Sequence, residues 1–318
     1  MLCVYYNNSF STNETHPENH KRIIIPIQFL KNKFHNKIKI YDSTTIYNYT
    51  KTINAFTNEE VENLIINYLG NACNKNYITE IKKICSELRN GDIIDGDTYF
   101  TKLTYEEIID TGLILRNACN KLMDNTIRYA YCLTRPPSHH SSLNYYSGFC
   151  IVNQTYQAAK YLHDVFNKKV FILDYDVHHG DGTQKLIKEH PEDNIFFCSI
   201  HCYEKGFYPG TGNVSENSSK ILNIPLPRNQ TDEIYIEKFN NEIFPFITAS
   251  KSNIIIISNG LDAHIHEPMS VMKLTDKFYE YVTVQLKSLN VPLLYILEGG
   301  YNPDVISVVS EKIIKLLL

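Results

Sequence analysis

Four short runs of this chain, Val170 to Leu173, Ile195 to Ile200, Ile254 to Ser258 and Leu293 to Leu297, are almost wholly apolar. A strand with one wet face alternates apolar and polar residues. A continuously apolar strand is covered on both faces, as in a parallel sheet lined by helices. Each run also ends in polar residues. The first, in VFILDYDVHHGDGTQ, passes into Asp174, Asp176 and His178 at every second position, which puts all three on one face. The second ends at Ser199 and His201, the third runs into Asp262 and His264, and the fourth leads to the Gly299-Gly300 turn that carries Tyr301. Alone, an aspartate after a strand is more often a turn or cap residue, and a lone histidine is more often a satisfied core or surface group. Four strand ends converging on one rim are not explained that way, and the carboxyl rim is where such sheets keep their chemistry.

The rest of the chain keeps a strand and helix rhythm. Met1 to Tyr6 and Lys37 to Tyr41 are predicted strands, and Phe56 to Leu69 is a predicted helix opened by the Thr57 and Glu60 capping pair. Ile78 to Asn90, Tyr105 to Ala130 and Ser147 to Phe166 are also predicted helices, and Gly212 to Lys220 reads as an Asn- and Ser-rich loop. No linker divides the chain. The expectation is an α/β fold, one domain over residues 1–318, with a central mostly parallel sheet flanked by helices on both faces. With 31 Lys and Arg against 35 Asp and Glu there is no basic surplus, so direct nucleic-acid binding is not expected. No apolar run is long enough to cross a bilayer, and MLCVYYNNSF does not read as a secretory leader, so no membrane partner and an intracellular place, cytoplasm or nucleus, are expected. The eight cysteines form no CxxC pair, which argues against a disulfide scaffold or a thiolate zinc site and for buried small apolar side chains.

Residue types suggest a reaction. Asp176 and His178 from one strand and Asp262 from another would give a divalent metal three protein ligands and an open position, the arrangement of a catalytic zinc ion. His139 and His140, which follow Pro136 and Pro137 in RPPSHH, are suited to moving protons at neutral pH: one would take a proton from water and return it to a leaving amine. Asp174 and Asp181 are available to orient these imidazoles, and Tyr301 can donate its phenol to a developing oxyanion. The reaction class is metal-assisted amide hydrolysis.

These segments resemble the zinc-dependent histone deacetylase family, which includes acetylpolyamine amidohydrolases, over nearly the whole chain. HPENHKR at His16 to Arg22 is similar to the family's HPERPxR opening and DGDTYF at Asp95 to its DxDTY segment; RPPSHHS, GFCIVNQ, DYDVHHGDGTQ, SIHCYEKGFYPGTG, NGLDAH and LEGGYN follow in order. The resemblance implies an arginase/deacetylase-like fold and makes Asp176, His178 and Asp262 the zinc ligands. It implies that His140 is the general base and acid, oriented by Asp181, that His139 is its electrostatic partner paired to Asp174, and that Tyr301 polarises the scissile carbonyl. A weakly active branch of the family carries histidine in place of this tyrosine. The resemblance further implies a structural potassium ion near Asp174, Asp176, His178, Ser199 and Ile200, and an acyl-lysine channel walled by Gly148, Phe149 and Tyr208 with Met269 beside it.

The pattern departs from the family at several points. Ser138 stands where glycine usually precedes the paired histidines, so its side chain would narrow the inner channel or displace the imidazoles. Gln154, Asn259 and Leu261 are further exchanges. Acetylpolyamine-specific relatives use a glutamate where Met269 stands. The implied activity is removal of acetyl from acetyl-lysine in a protein or peptide. The alternatives are a small-molecule amidohydrolase acting on an acetylated amine, a catalytically idle acyl-lysine scaffold, and a two-metal ureohydrolase, whose further Asp and His ligands are not found.

Overall fold

The computed structural model describes residues 1–8, 15–70, 73–89 and 93–318; the side chain of Asp95, in the DGDTYF segment, lies outside the described set. The strands are β1 (Leu2–Tyr6), β2 (Lys39–Asp42), β3 (Ile93–Asp95), β4 (Thr98–Tyr99), β5 (Tyr129–Leu133), β6 (Val170–Asp174), β7 (Ile195–Cys202), β8 (Ile221–Leu226), β9 (Ile254–Asn259) and β10 (Leu293–Leu297). Eight of them form one sheet in the order β2-β1-β5-β10-β9-β6-β7-β8, and β3 pairs with β4 in a small ribbon. Every pairing in the large sheet is parallel.

The predicted double coverage is visible along β9. Ile254 and Ile256 enter one core with helices 58–69, 75–87, 104–123, 154–166 and 181–189. Ile255 and Ile257 enter the other, with helices 21–34, 232–238, 276–288 and 303–317. Strand order then locates the site. From β6 the chain crosses to β7, away from β9, and from β9 it crosses to β10, away from β6. The two connections diverge, so the loops after β6 and β9 leave a crevice between them, the place where open parallel sheets bind ligands.

Two predicted helices are cut short. The run Tyr105 to Ala130 is helical only over Thr104–Met123; Asn125 turns the chain with φ 61°, and Tyr129–Leu133 becomes β5, between β1 and β10. The residues YAYCL are aromatic and apolar enough for a strand, and burial on both faces decides the matter over helical periodicity. Likewise Ser147 to Phe166 is helical only from Gln154, because Gly148 and Phe149 have φ of 53° and 66°, and Asn153 caps the helix by accepting from the Tyr156 N–H. The Thr57 and Glu60 capping box is present. All eight cysteines are buried and free, and among the described residues no helix is long and apolar enough to cross a membrane.

A buried ion network fastens the amino-terminal segment to this rim. Glu18 accepts from Arg135 through Nε (2.9 Å) and Nη2 (2.6 Å) and from Arg22 Nη1 (2.9 Å), while Arg135 Nη1 also reaches Glu107 (2.5 Å). Arg22 in turn donates to the backbone carbonyls of Gly300 and Glu298. Burial alone would raise the Glu18 carboxyl, but the two guanidinium groups, Arg135 foremost, hold it at about 2 against an ordinary 4.5. A depressed carboxyl contributes stability that is present above pH 4.5 and is lost as pH falls toward 2. Denaturant melts should therefore lose stability steeply over that interval, and Glu18→Gln should cost about 3 to 5 kcal/mol at pH 7 by leaving buried guanidinium charge underpaired. A variant as stable as the parent would refute the network's importance.

Candidate metal and proton-transfer site

The crevice gathers side chains from the ends of four adjacent strands. Asp176 and His178 follow β6, Asp262 follows β9, Tyr301 follows β10, and His139 and His140 follow β5. A single nitrogen, His178 Nδ1, lies 3.2 Å from Asp176 Oδ1 and 3.1 Å from Asp262 Oδ2. Candidate ligand atoms of the three residues all lie within 4.8 Å of one another. Both carboxylates are fully buried. Backbone donors also fix these carboxylates: Gly299 N–H to Asp176 Oδ2 (2.8 Å), His178 N–H to Asp176 Oδ1 (2.9 Å) and Val177 N–H to Asp262 Oδ1 (2.9 Å).

Burial pushes the Asp262 carboxyl up, helped by the neighbouring Asp176 charge. Burial acts on Asp176 in the same sense, but His139 and His178 override it and hold that carboxyl low. Against the burial that disfavours its charge, His178 is raised to about 9 by the two carboxylates. Two buried carboxylates flanking one imidazole form a pocket that draws positive charge. Space is reserved beside it: a Cβ at Gly260 would lie 2.3 Å from Asp176 Oδ2, and one at Gly299 would lie 2.4 Å from the same atom and 2.5 Å from Asp262 Oδ2. The donor set of two oxygens and a nitrogen, so confined, fits a divalent transition metal.

Among the described residues two further groups have such spacing. In one, His163, Asp164 and Asp193, the Lys160 ammonium already lies 2.7 and 3.2 Å from the carboxylates. The other, His139, Cys150 and Glu298, is committed differently: four protein donors fill the Glu298 carboxylate, and burial keeps the Cys150 thiol protonated.

The paired imidazoles lie with ring centroids 4.0 Å apart. His139 Nδ1 is 3.0 Å from Asp174 Oδ2, and its Nε2 is 3.8 Å from Asp176 Oδ1; His140 Nδ1 is 2.6 Å from Asp181 Oδ1. The loop is tied down by Thr183 N–H to the His139 carbonyl (3.1 Å) and by Asn153 Nδ2 to the Ser141 carbonyl (2.9 Å). Burial disfavours charge on both rings, yet their protonation diverges. Asp176 and Asp174 raise His139 well above its ordinary value, whereas burial and the His139 charge lower His140 to about 4. Neighbouring groups driven apart in this way are suited to opposite roles in proton transfer.

A cavity of about 250 Å³ is lined by Asp97, Pro137, His139, His140, Gly148, Phe149, His178, Tyr208, Met269, Gly299 and Tyr301. Phe149 and Tyr301 meet edge to face with centroids 5.7 Å apart, and Tyr208 stands edge-on to His140 at 4.9 Å. Gly148 has no room for a side chain, since a Cβ would lie 2.5 Å from His140 Cδ2 and 2.9 Å from the Tyr208 hydroxyl. Burial raises the Tyr301 phenol well above its ordinary value, so it keeps its proton.

The chain belongs to the histone deacetylase family. Its histone deacetylase domain matches over residues 16–317. An uncharacterized protein of Synechocystis is 32% identical over 79% of this chain and 81% of its own length, and the chloroplastic Histone deacetylase 14 of Arabidopsis thaliana is 31% identical over 75% and 60%. Histone deacetylase 15 of the same plant is 34% identical over 70% of this chain and 42% of its own length. This chain thus spans well under two thirds of that relative. The crystal structure of the HDA15 HD domain is similar in fold, with a TM-score of 0.83 at 24% identity over 99% of this chain and 90% of that one.

Not every strand-end residue of this histone deacetylase domain faces the cavity. His264 turns to Asp276 (3.1 Å), and His201 lies between Ser199 Oγ (2.9 Å) and the Gly212 carbonyl (3.1 Å). The hydroxyl of Ser138 also points away, to Glu298 and Thr155, so it does not narrow the channel as expected. Gln154 donates to the Ile108 carbonyl, and Asn259 is held between Tyr131 and Tyr175 below the site. Roles were missed for Asp97, at the cavity, and for Glu267, which accepts from the N–H groups of Tyr301 (2.6 Å) and Asn302 (3.0 Å). A charged residue directly after an apolar strand was the available signal for a third, Glu298.

Gly260→Ala should lower stability by about 1 to 3 kcal/mol, because its methyl group would meet both the backbone and the carboxylate of Asp176. Urea unfolding measures this, and an unchanged midpoint would show that the cradle is looser than drawn.

Proposed function

We propose that this chain hydrolyses the amide of acetyl-lysine in proteins or peptides, giving lysine and acetate, with one zinc ion held by Asp176, His178 and Asp262. The observation that carries the reading is a pair of imidazoles, each bonded to its own carboxylate, beside a carboxylate, imidazole and carboxylate trio, all reached through one narrow cavity that Tyr301 lines. Zinc bound there supplies Lewis acidity to the acyl oxygen and to water. The chain's own groups do the rest.

His140 is neutral near pH 7, and Asp181 occupies its Nδ1. Its Nε2 therefore accepts the proton of the attacking water and later delivers it to the departing lysine nitrogen. His139, paired through Nδ1 to Asp174, offsets in its protonated form the negative charge that builds during attack. The Tyr301 phenol donates to the acyl oxygen as it becomes an oxyanion. Gly148, Phe149 and Tyr208 form the wall along which a four-carbon stem lies, and the uncharged Met269 at the mouth favours a lysine presented by a peptide over a polycationic chain. A structural potassium ion belongs to the same reading. Asp174 and Ser199, register partners on β6 and β7, and the carbonyls of Asp176, His178 and Ile200 would offer it oxygen ligands.

The zinc-loaded protein should release acetate from an acetyl-lysine peptide, and Tyr301→Phe or His140→Ala should each lower kcat by about 10²- to 10⁴-fold with thermal midpoints unchanged. Turnover undiminished in both variants would end the assignment. Zinc added to chelator-treated protein should also raise the thermal midpoint, through a stabilisation of about 2.7 kcal/mol at a hundredfold excess over Kd. In Asp262→Asn that rise should largely vanish; a rise equal to the parent's would move the ion elsewhere.

A further inference from the structure

Behind the paired imidazoles lies a carboxylate that the hydrolytic chemistry does not use. Glu298, directly after β10, is fully buried, and among the described residues no lysine or arginine pairs with its side chain. Its oxygens are satisfied by one short stretch of chain and one neighbouring helix. Oε2 accepts from the N–H groups of Ser138 (2.5 Å) and His139 (3.1 Å); Oε1 accepts from the hydroxyls of Ser138 (2.6 Å) and Thr155 (2.7 Å). The two hydroxyl oxygens are 3.1 Å apart, and the Thr155 N–H donates to Ser138 Oγ (3.3 Å). All four donors are buried, so water cannot replace any that is removed.

We infer that Ser138 and Thr155 are positioning residues, which through the Glu298 carboxylate fix the backbone carrying His139 and His140 at the depth and angle the proton transfers require. The geometry is specific to the residue that departs from the family pattern. A glycine at 138 would keep the backbone bond to Oε2, but Oε1 would lose one of its two donors and Thr155 N–H its acceptor. The remaining Thr155 hydroxyl could then draw the carboxylate toward its own helix. Because Oε2 belongs to the same rigid group, the His139 N–H must follow or lose its partner. His139 has little slack, being held at its carbonyl by Thr183 and at its ring by Asp174. In this chain, then, returning position 138 to the family's usual glycine lowers activity.

The inference rests on the deacetylase reading for its kinetic consequence, and two readouts separate the two. With the zinc-loaded full chain and an acetyl-lysine peptide, Ser138→Ala, Ser138→Gly and Thr155→Val should each lower kcat roughly ten- to a hundredfold. KM should stay within about twofold and zinc content should match the parent's, while the thermal midpoint falls by a few degrees because a buried carboxylate oxygen loses a donor. Thr155→Ser, which keeps the hydroxyl, should retain most of the activity. Independently of turnover, the imidazole ¹⁵N resonances of His139 and His140 should move in Ser138→Ala and Thr155→Val and stay in place in Thr155→Ser. A parent without turnover on any acyl-lysine defeats the deacetylase reading, and the resonances then decide the positioning claim. Unmoved resonances overturn it, as do an unchanged kcat in Ser138→Ala and Thr155→Val, or equal losses in Thr155→Val and Thr155→Ser.

Discussion

Asp176 and Asp262 are two carboxylates held a few ångströms apart in the protein interior, and most of the surrounding structure answers the problem they set. Unit charges at that separation repel by on the order of 4 kcal/mol even at an effective dielectric of 20, and each also forfeits its hydration. Among the described residues no lysine or arginine stands between them. The protein uses three backbone N–H groups from two turns, then inserts one imidazole nitrogen between their oxygens. The arrangement remains deficient in positive charge, as the raised carboxyl of Asp262 and the raised imidazole of His178 both register. A site tuned this way is suited to a cation, because folding has already brought candidate ligand atoms together.

The turn after β10 must come close to this pair without a side chain in the way, which is why glycine stands at 299, against Asp176 and Asp262. Such a bare turn has little packing of its own. Buried charged residues compensate: Arg22 and Glu267, from distant parts of the chain, hold the carbonyls of Glu298 and Gly300 and the N–H groups of Tyr301 and Asn302, and Glu298, at the start of the turn, reaches across to the histidine loop. Glu18 then joins Arg22 to Arg135, the residue that begins the loop carrying His139 and His140. The amino-terminal HPENHKR segment is thereby part of the site although none of its residues lines the cavity.

How much of this could be read from the amino acids depended on how local the cause was. The strands Val170 to Leu173, Ile254 to Ser258 and Leu293 to Leu297 were legible because burial on both faces leaves a continuous apolar run, and the trio because a spacing of two puts Asp176 and His178 on one side of an extended chain. Tyr129 to Leu133 was not, since its neighbours complete a helical periodicity and only its place between β1 and β10 makes it a strand. The same limit hid the direction of Ser138. A residue type says that a hydroxyl is present; that it faces Glu298, not the channel, follows from a strand 160 residues further along. His201 and His264 met every local criterion for the site, and only tertiary packing turned them to other partners.

The channel wall and the metal cradle are built on different principles. The trio and the imidazoles sit at or just beyond strand ends and are held by charged or backbone hydrogen bonds from several sides. The wall residues Gly148 and Phe149 lie in a turn with positive φ, a conformation costing a β-carbon residue such as Phe149 on the order of 1 kcal/mol, secured by the Phe149 N–H bond to Thr98 Oγ1 and by His16 against the ring. That strain is tolerable because the turn delivers an aromatic face and a residue without a side chain to the same short stretch. A flat wall beside His140 requires both, and a regular helix through these positions, as the periodicity alone would have it, would supply neither. The carboxylates and imidazoles are thus tethered close to strand ends by several hydrogen bonds, and the flat wall of the cavity is left to a turn.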